Sequence, residues 1–127
     1  MGVDQRRRAQ RLMRRGEIRI IDLDPTVGQE ANKRRPAIIV SNDGANNAAS
    51  RLGRGVLTVV LLTSNTERVH PFQVLLPAAS TGLSINSKAQ AEQVRAVSVS
   101  RIGEAVGFVC GELMQQVEDA LRLHLGL

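Results

Sequence analysis

Arg35 ends a run of cations, Lys33-Arg34-Arg35, and stands directly before Pro36 and the apolar segment Ala37-Ile38-Ile39-Val40. Proline disfavours helical backbone at the residue before it, so Arg35 presents its guanidinium where a loop becomes a strand. Planar donors in that setting suit phosphate oxygens, and the chemistry they serve is stabilisation of charge on a phosphoryl group. On spacing alone, a surface cation paired with Glu30 or Asp24 is the simpler reading. Thr63-Ser64-Asn65 offers two hydroxyls and an amide at the far end of the apolar run Val56–Leu62. Hydroxyls there can donate to a phosphate, although Ser, Thr and Asn also simply terminate strands and form turns.

Other chemistries find less support. His70 and His124 are the only histidines, and neither has a partner at metal-ligand spacing. A ribonuclease using both as acid and base suits imidazole, but nothing in the sequence brings them together. Ser80, Ser84 and Ser87 lack the Gly-x-Ser-x-Gly elbow of serine hydrolases. Gly53-Arg54-Gly55 lacks the spacing of a phosphate-cradling loop, and Cys110 reads as a small core residue.

Composition narrows the class further. The chain has 127 residues, the size of one domain, and a lone cysteine, which suits a reducing compartment; the expected location is the cytoplasm. No apolar run is long enough to span a bilayer, so no membrane role is expected. The net charge of +5 resides entirely in residues 1–15, which hold six arginines against Asp4, while the rest of the chain is neutral. Basicity therefore describes a leader, not the domain, and claims about the domain must rest on local clusters. With no Trp or Tyr and only Phe72 and Phe108, a module that binds single strands by stacking bases on aromatic platforms is disfavoured.

The elements that must position these residues follow from patterning. Residues 1–12 read as a basic, flexible extension, with Met13 a candidate start of the ordered domain. Glu17–Leu23 and Ala37–Ser41 read as strands separated by a long polar loop over Thr26–Arg35. Asn42–Asn47 reads as a turn by its Asn, Asp and Gly content. Val56–Thr63, nearly all apolar and rich in β-branched residues, reads as a strand buried on both faces. Phe72–Leu76, Gln93–Ser98 and a short segment at Ala105–Val109 complete the strands, and Ala78–Ser87 reads as a loop. Leu113, Val117, Leu121 and Leu125, with Met114 and Ala120 beside them, mark one face of a terminal helix, and Glu112 suits its N-terminal end. These elements imply a mainly β, α+β domain: a small, strongly bent antiparallel sheet or barrel with the helix packed on it.

Met13-Arg14-Arg15-Gly16-Glu17-Ile18, Asp22-Leu23-Asp24-Pro25-Thr26-Val27-Gly28-Gln29-Glu30, Arg35-Pro36-Ala37-Ile38-Ile39-Val40-Ser41-Asn42-Asp43, Leu62-Thr63-Ser64-Asn65 and Gln93-Val94-Arg95 together resemble the MazF/PemK toxins of type II toxin–antitoxin systems. The motifs agree in order and spacing from Met13 to the C-terminus, so residues 13–127 are expected to form the toxin domain. The resemblance implies an SH3-like barrel with a C-terminal helix, a homodimer, and an endoribonuclease that needs neither metal nor cofactor. It implies cutting of single-stranded RNA at a short sequence, leaving 2′,3′-cyclic phosphate and 5′-hydroxyl ends. It also implies a cognate antitoxin whose flexible tail lies across the RNA groove and through which alone operator DNA is met.

By the same resemblance the catalytic pair is Arg35 and Thr63. Arginine stays protonated near neutrality and is a poor base, so Glu30 and Glu92 are the candidate general bases. Gln29, Lys33, Ser64 and Arg95 are candidate RNA contacts. Where many relatives carry an aromatic residue after Gly-Glu-Ile, this chain has Arg19. Two other readings compete: a gyrase inhibitor on the same fold, like the CcdB toxins, and a nucleic-acid-binding module acting through the basic leader. The first is weakened because the chain ends His124-Leu125-Gly126-Leu127, where the gyrase poisons carry Trp-Gly-Ile.

Overall fold

The computed structural model describes residues 13–23 and 34–127. The strands are β1 (Glu17–Asp22), β2 (Arg34–Ile39), β3 (Val56–Thr63), β4 (Gln73–Leu76), β5 (Ser87–Ser98) and β6 (Ile102–Phe108). The helices are α1 (Asp43–Leu52), the single turn α2 (Ala78–Thr81) and α3 (Gly111–Leu125), with a 3₁₀ turn at Val99–Arg101 between β5 and β6. All pairings are antiparallel, in one six-stranded sheet of order β4-β5-β3-β2-β1-β6. The domain is therefore mainly β with a C-terminal helix, as its patterning predicts.

β3 lies in the interior of the sheet and divides two cores. Val60 and Leu62 join Ile18, Ile38, Val74 and Leu76 under Met114, Val117 and Ala120 of α3. Leu57, Val59 and Leu61 face the other way, with Ala37, Ile39, Val97 and Met13, under Ala49 of α1. A strand buried on both faces cannot alternate apolar with polar residues, which is why Val56–Thr63 reads as one apolar run. Met13 is fully buried in the α1-side core.

The sheet is not closed into a barrel by strand pairing, because β4 and β6 remain its two edges. It curls nonetheless. A Cβ added to Gly107 of β6 would lie 2.7 Å from the Thr81 carbonyl oxygen and 3.4 Å from Leu83, so the segment after β4 reaches the opposite edge. That approach leaves room only for hydrogen at Gly107. The gap in the ladder is filled by α2 and the chain that follows it.

Three elements differ from their patterning. Asn42–Asn47 is not a turn but the start of α1: Asn42 caps it by accepting from the Ala45 amide at 2.8 Å, and Gly53, at φ 68°, ends it. Asn46 is buried because its side chain is satisfied by Ser41, donating to its carbonyl oxygen and accepting from its hydroxyl. Asn and Asp favour both turns and helix N-termini, so composition could not separate the two. Ala78–Ser87 contains a helical turn, and β5 begins at Ser87 rather than Gln93. On α3, Met114, Val117 and Ala120 are buried, whereas Leu125 is exposed past the edge of the sheet.

Candidate active site

Within β2, the alternation that sends Ala37 and Ile39 to the α1-side core places Arg35 on that same face, beyond the end of the core. Arg34 takes the opposite face and lines a polar hollow with Asp22, Ser100 and Arg101. The adjacent arginines thus do different things. β2 and β3 pair as Ala37↔Leu61, Ile38↔Val60 and Ile39↔Val59, and continuing that register by two residues sets Arg35 opposite Thr63. The candidate catalytic pair, separated widely in sequence, therefore stands at the same end of two neighbouring strands, two residues beyond the last ladder pair.

Arg35 Nη2 donates to the Leu62 carbonyl oxygen at 2.6 Å and to Gln90 Oε1 at 3.0 Å. Both acceptors are neutral, and among the described residues no carboxylate pairs with this guanidinium. Burial without a counter-ion holds its pKa below the ordinary arginine value. Thr63 Oγ1 accepts from the Asn65 amide at 3.2 Å, which leaves the hydroxyl proton for another acceptor. Thr63 also pairs with Lys88 on β5, whose buried ammonium donates to the Arg68 carbonyl oxygen.

β5 reaches this face through an irregular stretch. Val60 pairs with Val94 but Leu62 pairs with Ala89, so β5 advances five residues where β3 advances two. The excess residues reverse the strand's alternation: Ala89 and Ala91 belong to the α3-side core, and so does Val94, while Val97 faces α1. Bulges of this kind re-aim side chains next to functional sites. Here Gln90 turns to Arg35, and Glu92 Oε2 accepts from Gln73 Nε2 at 2.6 Å. Gln73 is held in turn by the His70 amide, which donates to its Oε1 at 3.1 Å. Glu92 Oε1 is buried without a hydrogen-bond partner among the described residues.

The other predicted residues are dispersed. Ser64 is exposed just beyond Thr63. Arg95 is exposed opposite Val59, four residues along β3 from Thr63, which is roughly 13 Å at strand rise. Gln29, Glu30 and Lys33 lie outside the described residues, as does the extension 1–12. Arg19 is no surface contact: it is 5% exposed, and its Nε and Nη2 donate to Glu17 Oε1 at 3.2 and 3.1 Å, with Nη1 on the Gly103 carbonyl at 3.0 Å. Cys110 is exposed at the start of α3 instead of buried. His70 stacks on Phe72 with ring centroids 5.2 Å apart, and Phe72 lies 6.4 Å from His124, so the two histidines flank one phenylalanine.

Sequence reading missed Lys88, Gln90 and Gln73. The signal for the first two was present in Ser87-Lys88-Ala89-Gln90-Ala91-Glu92, where polar and small residues alternate with the period of a strand. No helix of the described residues is long and apolar enough to cross a membrane.

The curled antiparallel sheet thus carries, at one end of β2, a half-buried guanidinium whose partners among the described residues are neutral. Residues 14–125 match the model of the PemK-like, MazF-like toxins of type II toxin–antitoxin systems, and the chain belongs to that family. It is 55% identical over 116 residues to "Endoribonuclease MazF9" of Mycobacterium tuberculosis, covering 91% of this chain and 98% of that one. It is 26% identical to "Endoribonuclease EndoA" of Bacillus subtilis over 91% of this chain and 97% of the relative. A MazE–MazF crystal structure from Deinococcus radiodurans superposes with a TM-score of 0.73 at 25% identity, covering 91% of this chain and 97% of that one.

Proposed function

We propose that this chain is the toxin of a type II toxin–antitoxin system and acts as an endoribonuclease on single-stranded RNA, with Arg35 and Thr63 at the scissile phosphate. The observation that carries this reading is that Arg35 and Thr63 stand at the same end of neighbouring strands, with only neutral acceptors on the guanidinium among the described residues. Among the described residues no carboxylate cancels its positive charge, which is available to an entering anion. The 55% identity to a relative named an endoribonuclease supports the same reading.

The RNA 2′-oxygen attacks the adjacent phosphorus as its proton passes to a base, and the bond from phosphorus to the 5′-oxygen breaks. The products are a 2′,3′-cyclic phosphate and a 5′-hydroxyl. Arg35 and the Thr63 hydroxyl donate to the phosphoryl oxygens as charge grows on them. By analogy with arginines in phosphoryl transfer, Arg35 supplies about 10³-fold or more in rate. The lowered pKa also makes it a better proton donor to the departing 5′-oxygen than a solvated arginine. Glu30 and Glu92 are the candidate bases, and the unpartnered Oε1 of Glu92 has the lone pairs such a role requires. Ser64 and Arg95, with Gln29 and Lys33, are the proposed RNA contacts.

A cognate antitoxin is the expected partner, its flexible tail covering the RNA groove, and the working unit is a homodimer located in the cytoplasm. A gyrase inhibitor is disfavoured by the family match and by the relatives' names. The test is cleavage of a long single-stranded RNA in EDTA, with product ends mapped. Cutting that yields cyclic phosphate ends and is lost in Arg35→Ala is expected; a folded wild type that cuts nothing overturns the reading.

A further inference from the structure

The two acceptors on Arg35 use up one particular nitrogen. A guanidinium offers two forked edges, Nε with Nη2 and Nη1 with Nη2, and Nη2 belongs to both. Its two hydrogens are already placed, one on the Leu62 carbonyl at 2.6 Å and one on Gln90 Oε1 at 3.0 Å. The group is thereby fixed in its plane; Nε and Nη1 donate to no described residue and, lying on different edges, leave one or the other to meet an incoming anion. Because Nη2 can only donate, the amide of Gln90 must present its oxygen to Arg35.

Leu62 O is a backbone atom of the ladder and cannot be withdrawn by evolution or by mutation. Gln90 is the only side chain among the described residues that holds Arg35, and it stands at the entry to the β5 bulge, where the strand spends extra residues. Gln73, facing it across β4, and Glu92, bonded to Gln73, brace that stretch. A hydrogen bond to one backbone carbonyl leaves a long side chain free to rotate about it. A second acceptor removes that freedom, and a catalytic group gains when its reacting geometry is set before the substrate arrives.

We propose that Gln90 is a positioning residue for Arg35: its side-chain oxygen, together with Leu62 O, locks the guanidinium plane and so fixes the direction of the one remaining donor, Nε or Nη1, that meets the scissile phosphate. This rests on the ribonuclease reading above for its kinetic consequence, but not for the contact itself. Gln90 does not touch the reacting atoms, so its removal acts on turnover and leaves substrate binding nearly intact.

The experiment compares wild type, Gln90→Met and Gln90→Glu by steady-state cleavage of an RNA that the wild type cuts, by thermal unfolding, and by ¹⁵N NMR of the arginine side chains. Gln90→Met keeps the volume and removes the acceptor. Its kcat is expected to fall about tenfold, the scale of one hydrogen bond to a charged group, with KM within about twofold. The Nη2 protons of Arg35, resolved in the wild type, are expected to coalesce through faster rotation. Gln90→Glu keeps the acceptor and hence the resolved protons, but adds a negative charge that raises KM for the phosphodiester. A folded Gln90→Met with wild-type kcat, or with a loss confined to KM, overturns the proposal, as does an unchanged Arg35 spectrum in that variant. If the wild type cuts no RNA while the spectral contrast persists, the ribonuclease reading falls and the positioning of Arg35 by Gln90 stands.

Discussion

Arg19 and Arg35 are both strand arginines taken out of bulk water, and the sheet treats them oppositely. Arg19, between β1 and β6, is 5% exposed and shares its charge with Glu17, two donors converging on one carboxylate oxygen. Arg35, between β2, β3 and β5, is half-buried and, among the described residues, donates only to a backbone carbonyl and an amide oxygen. The first arginine is neutralised and serves the fold. The second has no carboxylate partner among the described residues, and a desolvated charge without one costs stability.

That contrast can be broken from either side. Arg35→Ala is expected to lower RNA cleavage at least about 10³-fold while leaving thermal stability unchanged or raised, since a desolvated charge is removed. Activity lost only in proportion to unfolding would place Arg35 with Arg19 among structural residues. Arg19→Ala should do the reverse: breaking a buried ion pair costs on the order of 3 kcal/mol in urea unfolding, with kcat of the folded fraction preserved. Thr63→Val, which keeps shape and removes the hydroxyl, is expected to lower kcat about tenfold with no change in the unfolding midpoint. An equal loss in stability would mean that the hydroxyl serves the turn at Asn65 instead of the phosphate.

The smallest effect is in pH dependence. Burial lowers the Arg35 pKa, so the alkaline limb of kcat should fall at lower pH than an exposed arginine would allow, and Arg35 should be fully protonated at neutrality. The stability sign is opposite to that of a paired cation. The folded state binds the Arg35 proton more weakly than the unfolded chain, so its penalty is fully present at neutral pH. It is relieved as pH rises through the window between the lowered folded pKa and the ordinary arginine value. A stability profile in Arg35→Ala that keeps this alkaline rise would assign it to another group.

Much of this architecture was legible from residue types. β3 emerges residue for residue from its apolar run, because only a strand covered on both sides needs such a sequence. β1 and α3 follow from branched residues and from helical spacing, whereas β2 begins at Arg34, within the segment whose charge and polarity read as loop up to Arg35, because pairing with β1 carries the strand past Pro36. α1 was hidden because its Asn-rich start uses the same side chains that make turns, and only the burial of Asn46 and Ala49 against the sheet decides for helix. The first half of β5 was hidden because Ala, Gln and Lys are weak strand formers on their own.

By itself, then, the sequence determined the layer types, the doubly buried strand and an arginine and a threonine at strand ends, all consequences of local preference and burial demand. Tertiary structure alone decided that Arg35 and Thr63 stand at the same end of neighbouring strands, since a register is a property of two strands and not of either one. It also decided that Gln90 reaches the same guanidinium, because a bulge in β5 reverses which way its side chains point. The separate fates of Arg19 and Arg35 were decided in the same way. A charge is structural or functional according to the acceptors that neighbouring strands bring to it, and no run of residues states what its neighbours in space will be.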